Sequence, residues 1–124
     1  MTRSELADAM IRGKAARGVV ESLHHYITPK EYGGRTFPKD VPPDTLCAVC
    51  ALGAAVVGVY GDYVRAFNAF HQARKTQGEY DSFAELLNIS PALAVEIELR
   101  HLNDESIEQI AAWLKSSEGG EDVQ

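Results

Sequence analysis

What this 124-residue chain lacks narrows it first. It has two cysteines and one tryptophan. Two thiols cannot build a disulfide framework, and without a secretory leader they are expected as reduced thiols in a cytoplasm. Leu6 to Ile11 is too short and too polar to be the apolar centre of a leader. The longest charge-free stretch, residues 45–61, falls short of a membrane span of ~18–20 apolar residues. Basic excess is missing as well: 12 Lys and Arg stand against 18 Asp and Glu, a net charge of −6, which argues against non-specific nucleic-acid binding. There is no GxSxG and no HExxH. Gly53, Gly58 and Gly61 follow no predicted strand, so no phosphate-cradling loop is read there.

What is present suffices for one domain with a sizeable core, since 45% of residues are apolar. The acidity is uneven: residues 1–43 hold seven Lys/Arg and five Asp/Glu, and residues 44–124 hold five and thirteen. The stretch from Asp44 to Gly61 is nearly all apolar and reads as one central helix at about 45–60, starting after Pro42-Pro43, capped by Asp44 and stopped at Gly61. Its small residues, Cys47, Cys50, Ala51, Ala54, Ala55 and Gly58, fall on one side, where a neighbouring helix can come close. Leu46, Val49, Leu52, Val56, Val57, Val59 and Tyr60 fall on the other. A helix apolar all round is expected to be buried all round.

Along the rest of the chain, Thr2-Arg3-Ser4-Glu5 matches a capping box, opening a helix that buries Leu6, Met10 and Ile11 and breaks or frays near Gly13. Val19, Val20, Leu23, Tyr26 and Ile27 follow helical spacing up to Pro29. Residues 28–43, with their prolines and glycines, read as a long irregular loop. Asp62 caps the next helix, with Tyr63, Val64, Phe67 and Phe70 inward. Ser82 to Glu85 is a second capping box, Ser90-Pro91 opens a helix carrying Leu93, Val95, Ile97, Leu99 and Leu102, and Ser106 to Gln109 is a third box, before Ile107, Ile110, Ala111 and Leu114. The pattern predicts an all-α, compact bundle of five or six helices, a single domain over 1–118 and a disordered acidic tail over 119–124.

Three constellations could carry chemistry. Cys47-Ala48-Val49-Cys50 is a CxxC, but a thioredoxin-type site needs a strand before it and a positive field. Here Pro-Pro-Asp precedes it and Asp44 is negative. Zinc is the alternative: on a helix the thiols lie about 60° apart, and His24 or His25 with Cys47, Cys50 and His71 would complete a Cys2His2 set, although the spacing is not that of a zinc finger. The plain expectation is two small buried thiols, no metal and no other cofactor. His24-His25, with Glu31 and Asp40 in the loop, could serve acid–base chemistry as an enzyme alternative, but no nucleophile motif accompanies them and no catalytic residue is assigned. Ile97 to Lys115 has the outline of a helix-turn-helix, a transcriptional regulator as second alternative. Its second helix offers Glu105, Glu108, Gln109 and Lys115 behind Asp104, a poor set for reading bases.

Cys50-Ala51-Leu52-Gly53-Ala54, followed by Leu102-Asn103-Asp104 and Ile107-Glu108-Gln109-Ile110-Ala111, resembles a group of small uncharacterised proteins of phages, prophages and actinobacteria. In that group a CxLGxL helix is followed by an LND…IAxxI ending. The matching cysteine is Cys50; Cys47 is not a regular member of the pattern. The resemblance spans about half the chain and implies a mobile-element accessory protein. The leading expectation is therefore a non-enzymatic cytoplasmic protein that acts by binding another protein, with room for a homodimer, and with no membrane and no nucleic-acid partner.

Overall fold

The computed structural model describes residues 1–23, 26–29 and 46–116. These form a mostly helical bundle of six helices with one small sheet. The first helix, α1 (Arg3–Ala15), starts at the expected capping box: Thr2 N–H donates to Glu5 Oε1 at 2.7 Å and Glu5 N–H to Thr2 Oγ1 at 3.1 Å. It runs through Gly13 without a break because Gly13 is where α1 crosses α2 (Ala51–Tyr60). A Cβ at Gly13 would lie 1.6 Å from the Ala54 carbonyl oxygen, and one at Gly58 would lie 1.8 Å from that of Ala9. The two backbones touch, and that packing offsets glycine's intrinsic helix penalty of ~1 kcal/mol. So α1 is the neighbour for which the small face of the central helix makes room.

The central element is shorter than its apolar run. Cys47–Val49 is a strand, β3, Cys50 is the N-cap, and only Ala51–Tyr60 is helical. An unbroken apolar stretch suits a fully buried strand as well as a helix, and here it serves both. β3 lies in the middle of a sheet of order β1-β3-β2, parallel to β1 (Val19–Glu21) and antiparallel to β2 (Ile27–Pro29). The helical stripe expected over Val19 to Ile27 is thus two three-residue strands. Gly18, in the left-handed region at φ 80°, turns the chain out of α1, and the β-branched Val19 and Val20 follow extended. Thr28 and Pro29 belong to β2 rather than to a loop. Asp44 and residues 30–45 lie outside the described residues, as does the acidic tail. Burial of the central element fails at its ends: Leu46 and Val59 are exposed and Tyr60 is half-buried.

Asp62 caps α3 (Tyr63–Ala73), whose Tyr63, Phe67 and Phe70 are buried while Arg65, Asn68, Gln72 and Arg74 are exposed. The second box does not form. Ser82 lies inside α4 (Glu79–Leu87), which starts one turn earlier at Gly78, and its hydroxyl donates back to the Gly78 carbonyl at 2.8 Å. Ser90 caps α5 (Pro91–Leu102), accepting from Leu93 N–H at 3.1 Å. Ser106 and Gln109 exchange hydrogen bonds of 2.7 and 3.1 Å as a capping box for α6 (Ile107–Ser116), which buries Ile107, Ile110, Ala111 and Leu114. One hydrophobic cluster joins α1, β3 and α2 to the inner faces of α3 to α6.

In α5 the buried positions are Leu93, Ala94, Ile97, Glu98 and His101, whereas Val95, Leu99 and Leu102 face outward. The alternation of apolar residues from Leu93 to Leu99 therefore splits between two faces. The helix buries a stripe at i, i+3, i+4 and i+7 that contains two ionisable side chains.

Candidate functional site

Two of the buried polar side chains, Glu98 and His101, meet the first turn of α2. His101, 1% exposed, reaches it from α5. Its Nδ1 accepts the Ala51 N–H at 3.3 Å, so the ring carries its proton on Nε2 and donates to Glu21 Oε2 at 2.6 Å. Cys50 fills the N-cap place usually held by Ser or Asp, its Sγ accepting the Gly53 N–H at 3.4 Å. A Cβ at Gly53 would stand 1.8 Å from the Tyr26 carbonyl oxygen, so glycine there lets the chain entering β2 lie against this turn. The strand-then-glycine order of a phosphate loop is thus present after all, but Gly53 sits within the helix and its amide is given to Cys50.

From Glu21 the network runs outward. Lys14 Nζ lies 3.1 Å from Glu21 Oε1 and bonds both oxygens of Glu108 at 2.7 and 2.5 Å, tying the end of α1 to β1 and α6. Burial pushes the Glu21 carboxyl up, but hydrogen bonds from His101 and Lys14 outweigh it and hold the group below its ordinary value. Lys14 is held above its ordinary value, chiefly by Glu108, against the opposing effect of burial.

On the other side of His101, Glu98 is 5% exposed and its Oε1 has no hydrogen-bond partner. It interacts with the Cys50 thiol and with the phenols of Tyr26 and Tyr80. Burial raises the Glu98 carboxyl, and it pushes Tyr26 up to about 12 with help from Tyr80, Glu79 and Glu98. Tyr26 packs at 5.7 Å from Phe83 and 6.0 Å from Phe70.

The thiols are held as thiols. Burial raises Cys47 to about 12, and burial with the Glu98 charge raises Cys50 further. The thiolate is the nucleophile, so in the metal-free protein neither sulfur is activated for redox or acyl-transfer chemistry. Three residues of the CxxC, Cys47 to Val49, are themselves the strand β3 and Cys50 caps α2, so the cysteines are not 60° apart on one helix; the Pro-Pro-Asp segment before them lies outside the described residues. Of the zinc candidates, His71 lies on the exposed face of α3, stacked on Phe67 at 5.7 Å between centroids, while Cys47 and Cys50 are in the core. His24 and His25 lie outside the described residues. Among the described residues no three His, Cys, Asp or Glu side chains are grouped to hold a metal.

Elsewhere, Trp113 of α6 has the Arg100 guanidinium 3.8 Å and that of Arg3 5.2 Å from its ring centroid, which joins α5 and α1 to α6 by cation–π contacts. On α6, Glu108 pairs with Lys14, and Lys115 with Asp8 at 2.8 Å, so this face is committed inside the molecule. A groove of about 550 Å³ between α1 and α4 is lined by Met1, Glu5, Asp8, Arg12, Leu86 and Asn88. Glu5 and Asp8 are already engaged there by Thr2 and Lys115.

The Glu21–His101 pair is the feature that the sequence reading missed. A usable signal existed: His101 follows Ala94 and Ile97 by seven and four residues, the spacing of one helix face. No helix among the described residues is long and apolar enough to cross a membrane. Compared with protein-family models, curated proteins and solved structures, the chain gives no match.

Proposed function

We propose that this is a non-enzymatic accessory protein that acts by binding another protein through the outer face of α5. One observation carries the proposal: Val95, Leu99 and Leu102 stand outward at i, i+4 and i+7, 36%, 53% and 45% exposed, on a helix whose other face is already packed. Ala92 is exposed beside them. Three large apolar anchors at this spacing match a helix seated in an apolar groove. The rim is acidic, with Glu96 and Asp104 exposed, and Arg100 neutralised by Glu96 at 3.6 Å and by Glu105 at 3.1 Å. An acidic rim opposes a second copy, which would bring like charges together, and favours a protein whose groove is edged with Lys or Arg. The resemblance to phage and prophage proteins fits an accessory of a mobile element directed at a host factor.

Inert thiols and a buried, committed histidine support a reading without catalysis, and the internal pairing of Glu108 and Lys115 on α6 weighs against DNA reading. A photo-crosslinking residue at position 99, compared with one at Gln72 on α3, tests the proposal in a lysate of the source cell. The expected result is a protein captured from position 99 alone, lost on Glu96→Lys and weakened by salt. Equal capture from both positions, or a Leu99→Glu-sensitive dimer of the purified chain, would contradict it.

A further inference from the structure

Glu98 is the one carboxylate set fully into the packed face of α5, and among the described residues only weak partners face it. Cys50, on the α2 side, offers a thiol, a weak donor. Tyr80 of α4 and Tyr26 at the start of β2 offer neutral phenols. His101, one turn along α5, has both ring nitrogens committed, to Ala51 and to Glu21. Of the first amides of α2, Ala51 N–H goes to His101 and Gly53 N–H to Cys50. Arg100 is engaged with Glu96 and Glu105, and Lys14 with Glu21 and Glu108. Glu98 Oε1 is left with no partner. Burial without a cation or full hydrogen bonding disfavours the charged form of a carboxyl.

We propose that Glu98 makes α5 a proton-dependent element: the helix seats on α2 and α4 while the carboxyl is protonated and loosens from them when the proton leaves. The same helix carries Val95, Leu99 and Leu102 on its opposite face, so the proton state of Glu98 regulates how firmly the docking face is presented. That last consequence rests on the function proposed above; the loosening itself does not.

The direction follows from linkage. Burial raises the Glu98 carboxyl more than His101 and Cys50 lower it. A group raised in the folded state contributes stability that is complete below its unfolded value and is lost as pH rises through its folded value. Glu21, held low, acts oppositely and only in acid. Cys50, Tyr26 and Tyr80 are all raised and so remain protonated at neutral pH.

Hydrogen–deuterium exchange of the full chain from about pH 5 to about pH 8, with each amide referred to its unstructured rate, tests this. In the wild type the protection of residues 94–101 should fall with rising pH, by up to about tenfold per unit above the folded value, and more steeply than that of Ala54 to Val57 in α2. In Glu98→Gln the fall should vanish. Protection of α5 that is flat in the wild type, or that falls equally in Glu98→Gln, would overturn the proposal. If Glu98→Gln does not fold, Glu98→Met serves the same comparison, and if neither folds the wild-type slope decides. The free protein suffices for this experiment, so its failure is distinguishable from a failure of docking at Leu99, which the crosslink reads separately.

Discussion

His101 of α5 and Glu21 of β1 stand 80 residues apart in the chain and 2.6 Å apart in the fold, and their hydrogen bond fixes which nitrogen of the ring caps α2. Because Nε2 donates to Glu21, Nδ1 is free to accept the Ala51 N–H. One side chain thereby joins the sheet, α5 and the start of the central helix. Replacing it leaves a buried amide and a part-buried carboxylate short of partners. His101→Ala should destabilise by about 2–4 kcal/mol, and Glu21→Gln by less, since the amide can still accept. Urea denaturation at neutral pH measures both; a wild-type midpoint for His101→Ala would remove the network from the account.

The same pair sets an acid response. Hydrogen bonds from His101 and Lys14 hold Glu21 below its ordinary value despite its burial. Its contribution is therefore complete above the unfolded value, near 4.5, and is lost as pH falls through the depressed folded value. Stability should drop on acidification below about pH 4.5, and Glu21→Gln should flatten that part of the curve. An unchanged acid limb in the variant would show that other carboxylates dominate.

The α1–α2 crossing should tolerate no added volume. Ala54→Leu should lose roughly 1–3 kcal/mol by overpacking. Gly58→Ala should lose at least as much, because its Cβ would meet the backbone of Ala9 rather than a movable side chain. Leu52→Ala, at a fully buried position, should lose about 2–5 kcal/mol by leaving a cavity. Denaturation midpoints check all three.

The caps of α1, α3, α5 and α6 were legible because each depends on a few adjacent residues: Thr2 with Glu5, Asp62, Ser90 before Pro91, Ser106 with Gln109. The small face of α2 was legible because residue volume alone defines it. The strands were not. Three residues carry too little periodicity to separate an extended run from a helical one, and Cys47–Val49 is extended because β1 and β2 pair with it on either side, a fact of tertiary structure. The proper face of α5 was obscured by its own apolar residues, since Val95, Leu99 and Leu102 look like core to any count of hydrophobicity. The polar cluster was hidden for the same reason: it lies at Glu98 and His101, on the side that composition would assign to water.

The thiols should behave as packing. Cys47→Ala and Cys50→Ala should each cost roughly 1 kcal/mol, more at Cys50, which also caps α2, and neither should respond to a chelator. With Cys47 raised to about 12, its thiolate at pH 8 is about one part in ten thousand, so alkylation of the native protein should be slow until it unfolds. Rapid labelling of folded protein would contradict the packing role, and zinc that follows both cysteines and His71 would establish the metal reading.

The most direct measurement of the central claim is an amide NMR spectrum of the labelled chain, alone and in a lysate of the source cell. Binding through α5 predicts that signals from residues 92–103 shift or broaden together, while those of the Arg65, Asn68 and Gln72 face of α3 stay in place, and that Leu99→Glu abolishes the change. Perturbations that avoid α5, or that persist in Leu99→Glu, would contradict it.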